Sequence, residues 1–239
     1  MEKNALKIDI EGNLYDCFIS KKKISRIIMK VNALLQINIS CPLIFSQSKC
    51  LDFIDKNSEW LKTTIKERRE IYNKMHVVEC LERKGIWLKG KYYNFQYSNN
   101  NILYLFDKNN LYIPKKQIID KTFIEKLRKP FYNEIENMFN SFKTIYSNII
   151  PNDTILTFKR LKTKWGSCNY KKNIIVINKA LVSVPDEILQ FVFIHEFVHF
   201  IFPNHGIKFK EKLNSLLPNY KVLEKELKNY NFLLEKGVF

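Results

Sequence analysis

The stretch FVFIHEFVHFIFPNH, residues Phe191 to His205, is almost wholly apolar except for three histidines and one glutamate. With the residues before it, VPDEILQFVFIHEFVHFIF reads as a buried helix that starts near Pro185-Asp186-Glu187, with proline early and acids set against the helix dipole. His195 and His199 are four apart, so on a helix both imidazoles project from one face about a turn apart and can hold one metal ion. Glu196 lies about 100° round from His195, close enough to reach a water on that metal without ligating it. This is H-E-x-x-H, two histidine ligands for zinc and a glutamate as general base. A catalytic zinc takes a third protein ligand and keeps a fourth position open, and His205 is the candidate for the third. On a continued helix His205 would point about 240° away from His199. The chain is therefore expected to break: Pro203 disfavours helix at Phe202, and Asn204 and Gly206 suit a tight return. A core histidine with one satisfied partner does not explain the set, because three of the chain's four histidines fall in these residues beside a carboxylate that is costly to bury unpaired. The fourth, His76, stands in a polar run and reads as surface.

Upstream, TILTFKRLKTKWGSCN reads as a strand running into a Gly-centred turn, with NIIVIN as its hairpin partner. Residues 118–147 place Phe123, Leu127, Phe131, Ile135, Met138 and Phe142 on one helical face, which Pro130 should kink or interrupt. Before that come a strand cluster at residues 85–114, a helical stretch at 46–75 and a short β-meander at residues 6–45. No internal repeat is evident. Downstream, IKFKEKLNSLLP and KVLEKELKNYNFLL read as closing helices. The fold class is α+β, with a β-rich region carrying one helix at residues 1–115 and the H-E-x-x-H core at 116–239; the alternative counts the whole chain as one domain.

The bulk numbers narrow the partners. With 239 residues, 46% of them hydrophobic, the chain has enough apolar surface for a core. The N-terminus has no apolar h-region, and no run of about 18 apolar residues exists, so neither a secretory signal nor a membrane span is expected. Five scattered cysteines without a C-x-x-C pair suit free thiols in a cytoplasmic protein. Net charge is +16, but only six of the forty basic residues are arginine, and the surplus is diffuse. Residues 1–150 carry 26 basic and 16 acidic groups and the remainder 14 and 8, where a nucleic-acid footprint would be a patch. A nucleic-acid partner is thus not favoured. The local run Lys159, Arg160, Lys162 and Lys164 reads as a solvated strand face, the sharper alternative being a grip on an acidic substrate.

The segment from KTKWGSC through IIVIN, HEFVH, NH and F to PNY resembles the YgjP-like metallopeptidase family, also called DUF45, of the SprT-like zincin group. The match is close over residues 162–220 and looser upstream. The resemblance implies a minimal zincin core: a scaffold helix, a small sheet whose edge receives an extended peptide, and the H-E-x-x-H helix beneath. It carries His195, His199 and His205 over as zinc ligands and Glu196 as the catalytic glutamate, with Trp165, Gly166, Ser167 and Cys168 as a structural strand-and-turn signature. Lys164 departs from the usual arginine, and Lys210 from the aromatic that follows Phe209; both departures bear on the cleft. The implied activity is zinc-dependent peptide hydrolysis of a peptide or unfolded protein, with a substrate strand added beside residues 174–178 or whichever strand edges the cleft. The alternatives are a nucleotide pyrophosphatase and a nucleic-acid-associated zinc protein. Cys168 reads as a small buried residue, Trp165 as core, and Tyr170 or Tyr220 as weak candidates for stabilising an oxyanion.

Overall fold

The structure, a computed structural model, describes residues 6–99 and 105–235. Alternating apolar residues near the start form β1 (Leu6–Ile10), β2 (Asn13–Lys22), β3 (Ile28–Val31) and β4 (Ile37–Pro42). They are not a meander. The order is β1-β2-β4-β3, with β2 and β4 parallel and the outer pairs antiparallel. Ile37, Ile39 and Cys41 of β4 are fully buried, so the strand with most apolar area to hide takes an inner position. The helical stretch that follows is two helices, α1 (Gln47–Lys56) and α2 (Ser58–Lys74). They part at Asn57, whose side-chain amide donates to the Phe53 carbonyl at 2.7 Å and closes the first helix. Cys50, Ile54, Leu61 and Ile65 of the two helices pack on Cys17, Ile37 and Ile39. Residues up to Val78 form one compact unit and those from Glu79 on a second.

A short helix α3 (Val77–Leu81) spans that division, and β5 (Gly85–Leu88), β6 (Lys91–Ser98), β7 (Leu105–Asp107) and β8 (Asn110–Pro114) follow. Their order, β5-β6-β8-β7, with β6 and β8 parallel, repeats the first sheet. The third sheet, β9 (Ile155–Lys159), β10 (Gly166–Asn169) and β11 (Ile174–Asn178), has the order β10-β11-β9 with β9 and β11 parallel. One connectivity thus occurs three times: two strands are laid down and the next inserts between them. The inserted strand each time carries two fully buried aliphatics two residues apart, Ile37 and Ile39, Leu111 and Ile113, Ile175 and Ile177. The repeat is one of topology, so it leaves no sequence period.

The long helix α4 (Lys121–Ile145) begins at Asp120, whose carboxylate accepts from the Phe123 N–H at 2.8 Å, and it runs unbroken through Pro130. Buried residues on both sides of the proline, Ile124 and Leu127 before it and Ile135 and Phe139 after, hold the helix on course. Its first turns pack with Ile86, Leu88, Leu111 and Ile113 of the second sheet. A 3-10 turn at Lys179–Ser183 leads into α5 (Asp186–Val198), then come α6 (Ile207–Leu216), α7 (Tyr220–Leu227) and a last 3-10 segment, Lys228–Leu234. Ile188, Phe193, Phe197 and Val198 of α5 are wholly buried, and Phe139 of α4 lies on Phe193 with ring centroids 5.6 Å apart. No helix among the described residues is long and apolar enough to cross a membrane.

Candidate metal centre and its cleft

α5 ends at Val198, with His199 as its C-cap, before the proline is reached. Phe200 and Ile201 donate backbone N–H groups to Phe197 and Val198, and the His199 ring closes the turn by donating from Nδ1 to the Phe202 carbonyl at 3.1 Å. With its proton held on Nδ1, His199 leaves Nε2 as a free lone pair. The chain then reverses, with the Gly206 N–H bonded to the Asn204 carbonyl at 2.8 Å, and carries His205 back over the helix. His205 Nε2 lies 3.0 Å from His195 Nε2, and ring nitrogens of His195, His199 and His205 all lie within 4.8 Å of one another. Two nitrogens on one tetrahedral zinc stand about 3.3 Å apart, given Zn–N bonds of ~2.0–2.1 Å, so the trio suits a zinc-sized ion. Phe209 of α6, buried, forms the floor, its ring centroid 4.7 to 5.0 Å from each imidazole.

The electrostatics favour neutral donors. Burial, and next the neighbouring His199 and His205, lower the His195 pKa to about 3. Burial lowers His199 too, against the Phe202 carbonyl, which favours its charged form. Glu196 is 5% exposed, and burial pushes its carboxyl up to about 8 with Lys164 pulling the other way. Its Oε2 is buried with no hydrogen-bond partner. A buried carboxylate oxygen left unsatisfied beside three converging imidazole nitrogens is the arrangement expected where a metal and its water complete the site.

A cavity of about 570 Å³ opens on this cluster, bounded by Lys164, Trp165, Gly166, Tyr170, Glu224 and Asn231. A second, about 850 Å³, meets it at Phe191, His195, His205 and Glu224 and is walled by Leu213, Tyr220 and Lys210. The imidazoles therefore stand between two recesses. Both family departures lie there, Lys164 in the first and Lys210 in the second. Of the basic run, Lys164 lines the cleft, and Lys159, Arg160 and Lys162 are not among its lining residues.

The strand bordering the cleft is β10, not β11. β11, residues 174–178, is the middle strand with β9 and β10 on its two sides, so it has no edge to offer a peptide. Gly166 likewise starts a strand and does not centre a turn; the hairpin turns at residues 170–173. Trp165 is half-buried and its Nε1 donates to Asn231 Oδ1 at 3.1 Å, tying the strand entrance to the C-terminal segment. Cys168 faces Glu196; burial and that carboxylate raise its thiol to about 12, which keeps it protonated, and it is not part of the histidine group. Tyr170 lines the first recess and Tyr220 the second.

Two contributors escaped the sequence reading. Phe209 was only a letter of the pattern. Asn178, 2% exposed, pins the loop before β10: its amide donates to Leu161 and Lys164 carbonyls at 2.7 and 2.9 Å, and its N–H bonds the Trp165 carbonyl at 2.8 Å. The only hint was the asparagine closing IIVIN.

Comparison with curated proteins gave no match. Among solved structures the chain is similar to the metallopeptidase zymogen of Pyrococcus abyssi abylysin, at 20% identity and a TM-score of 0.35, over 39% of this chain and 90% of that one. It is also similar to the metallopeptidase zymogen of Methanocaldococcus jannaschii jannalysin, at 28% identity and a TM-score of 0.34, over 39% of this chain and 92% of that one. A family model described as YgjP-like, metallopeptidase domain, matches residues 25–230, from ahead of β3 through α7. That span takes in most of the chain, and the protein belongs to the YgjP-like metallopeptidase-domain family.

Proposed function

We propose that this chain is a zinc-dependent metallopeptidase whose zincin-like core, residues 116–239 with the H-E-x-x-H helix, cleaves peptide bonds with Glu196 as general base. The observation that carries the reading is the convergence of three imidazole nitrogens beside a carboxylate with one buried oxygen, Oε2, that has no hydrogen-bond partner. His195, His199 and His205 would hold the metal. Bound zinc supplies a Lewis acid that polarises a peptide carbonyl and brings the pKa of water down to about 7.

Glu196 does the proton work. It takes a proton from the attacking water and passes it to the leaving amine. The exposed side of β10 can pair with an extended substrate through backbone hydrogen bonds, which makes recognition tolerant of sequence and suits an unfolded protein. A nucleotide pyrophosphatase would hold Mg²⁺ or Mn²⁺ on oxygen ligands, whereas the three-ligand group found among the described residues is all imidazole. A non-catalytic zinc protein bound to nucleic acid would have no use for Glu196.

The test is metal content and turnover together. The purified protein should hold about one zinc per chain, lost when all three histidines become alanine. Glu196→Gln should keep zinc and the thermal midpoint while hydrolysis of an unfolded protein falls by about 10²–10⁴-fold. Full zinc in the triple variant, or a fully active Gln variant, sinks the assignment; turnover of nucleoside triphosphates that Glu196→Gln abolishes would replace it with the pyrophosphatase.

A further inference from the structure

We infer that Gly166 is a positioning residue for Glu196: the side chain it lacks is the space the glutamate occupies, and the strand backbone there is the wall that aims the carboxylate. The inference rests on Glu196 acting as the base. A Cβ at residue 166 would lie 2.5 Å from Glu196 Oε1 and 2.9 Å from both its Cδ and Cγ. Ordinary van der Waals contact begins near 3.4 Å, so the clash covers the whole outer half of the side chain and not just its tip. Gly166 does not adopt the left-handed backbone that requires glycine. Room for Glu196 accounts for the glycine by itself.

Neither backbone can retreat to admit a methyl group. On the strand side, Gly166 pairs with buried Ile177, and the residue before it is held twice, by the Asn178 N–H at its carbonyl and by Asn231 at the Trp165 indole. On the helix side, Phe193, Phe197 and Val198 are wholly buried and leave α5 no slack. The side chain of Glu196 is the part free to turn, since Oε2 has no hydrogen bond to hold it. Its rotamer is set by steric contact, and Gly166 is that contact.

The experiment is a double-mutant cycle on the metal-loaded protein, read in steady-state kinetics and thermal midpoint. Gly166→Ala should lower kcat by about ten- to a hundredfold with KM little changed, since displacing a reacting group by about an ångström costs that much. Glu196→Ala removes Cγ and everything beyond it, and against that background Ala at 166 should change the residual kcat by less than about twofold, a strong coupling. The midpoint should fall on Gly166→Ala alone and not when Glu196 is also alanine. Equal losses in both backgrounds, or a rise in KM at constant kcat, would overturn the inference; the second would assign the glycine to substrate passage. If Gly166→Ala fails to fold, a folded Gly166→Ala/Glu196→Ala protein supports the coupling and an unfolded one refutes it. The midpoint cycle reads the contact even if Glu196→Gln proves fully active, so failure of the base assignment is seen separately.

Discussion

Asn178 satisfies four groups from one buried position: it donates to three carbonyls of the loop 161–165 and accepts the Ala180 N–H at 3.1 Å. Removing its amide leaves the Leu161 and Lys164 carbonyls without partners, a loss of about 1–3 kcal/mol. Asn178→Ala should therefore lower the thermal midpoint by several degrees, at about 2–4 °C per kcal/mol for a chain of this size. Asn178→Asp should do no better, because it keeps the acceptor and loses both donors; a midpoint equal to wild type in either variant would refute the role. The loop carries Lys164 and Trp165 to the cleft, so activity should fall with stability. His195, Glu196, His199 and His205 could be read in the sequence because titratable groups are conspicuous in an apolar helix and because a helix turns by a known angle per residue. Asn178, Gly166 and Phe209 could not. Each acts on a partner from a different element, and nothing in the spacing of their neighbours marks the contact.

At the scale of elements, period and punctuation gave the strands and helices well, but the order of strands in a sheet is decided by competition for burial. Residues 6–45 contain four alternating stretches that suit a meander, yet β4 inserts beside β2 because Ile37 and Ile39 have more apolar surface to hide than β3 does. The same competition moved the candidate substrate-binding strand from β11 to β10. Helix ends followed local chemistry where a side chain was available to state it, as Asn57 does between α1 and α2. α4 shows the reverse, a local signal overridden by packing. Pro130 has no N–H to give to the Lys126 carbonyl, and its ring crowds that turn, yet the buried face either side keeps the helix continuous. The override has a cost. Pro130→Ala restores the bond, and the midpoint should rise, with a gain of about 1 kcal/mol or more after allowing for the looser unfolded chain. A midpoint that falls would show that the proline shapes α4 to its bed on the second sheet.

Over the whole molecule, the basic surplus is spread along the chain, while the thiols report how tightly each unit is packed. Cys17 in the first unit and Cys80 in the second are almost wholly buried, at 0% and 2% exposure. Burial raises the Cys17 thiol to about 11, with Cys50 adding to it, and the Cys80 thiol to about 12, with Glu79 adding and Arg128 opposing. In the unfolded chain both ionise near their ordinary value of 9.0. Above that pH the unfolded state gives up protons that the folded state keeps, so each thiol's contribution is complete below pH 9 and drains away as pH climbs towards 11 and 12. A displacement of two pKa units corresponds to about 2–3 kcal/mol, so the loss is large enough to see in a melting curve. Above about pH 8.5 the midpoint should fall steadily on their account. Cys17→Ala should start lower at neutral pH, because it opens a small void, but should decline less steeply above pH 9. An alkaline slope identical to wild type in both Cys17→Ala and Cys80→Ala would mean that the buried thiols ionise no later in the fold than out of it, and that other groups carry the alkaline transition.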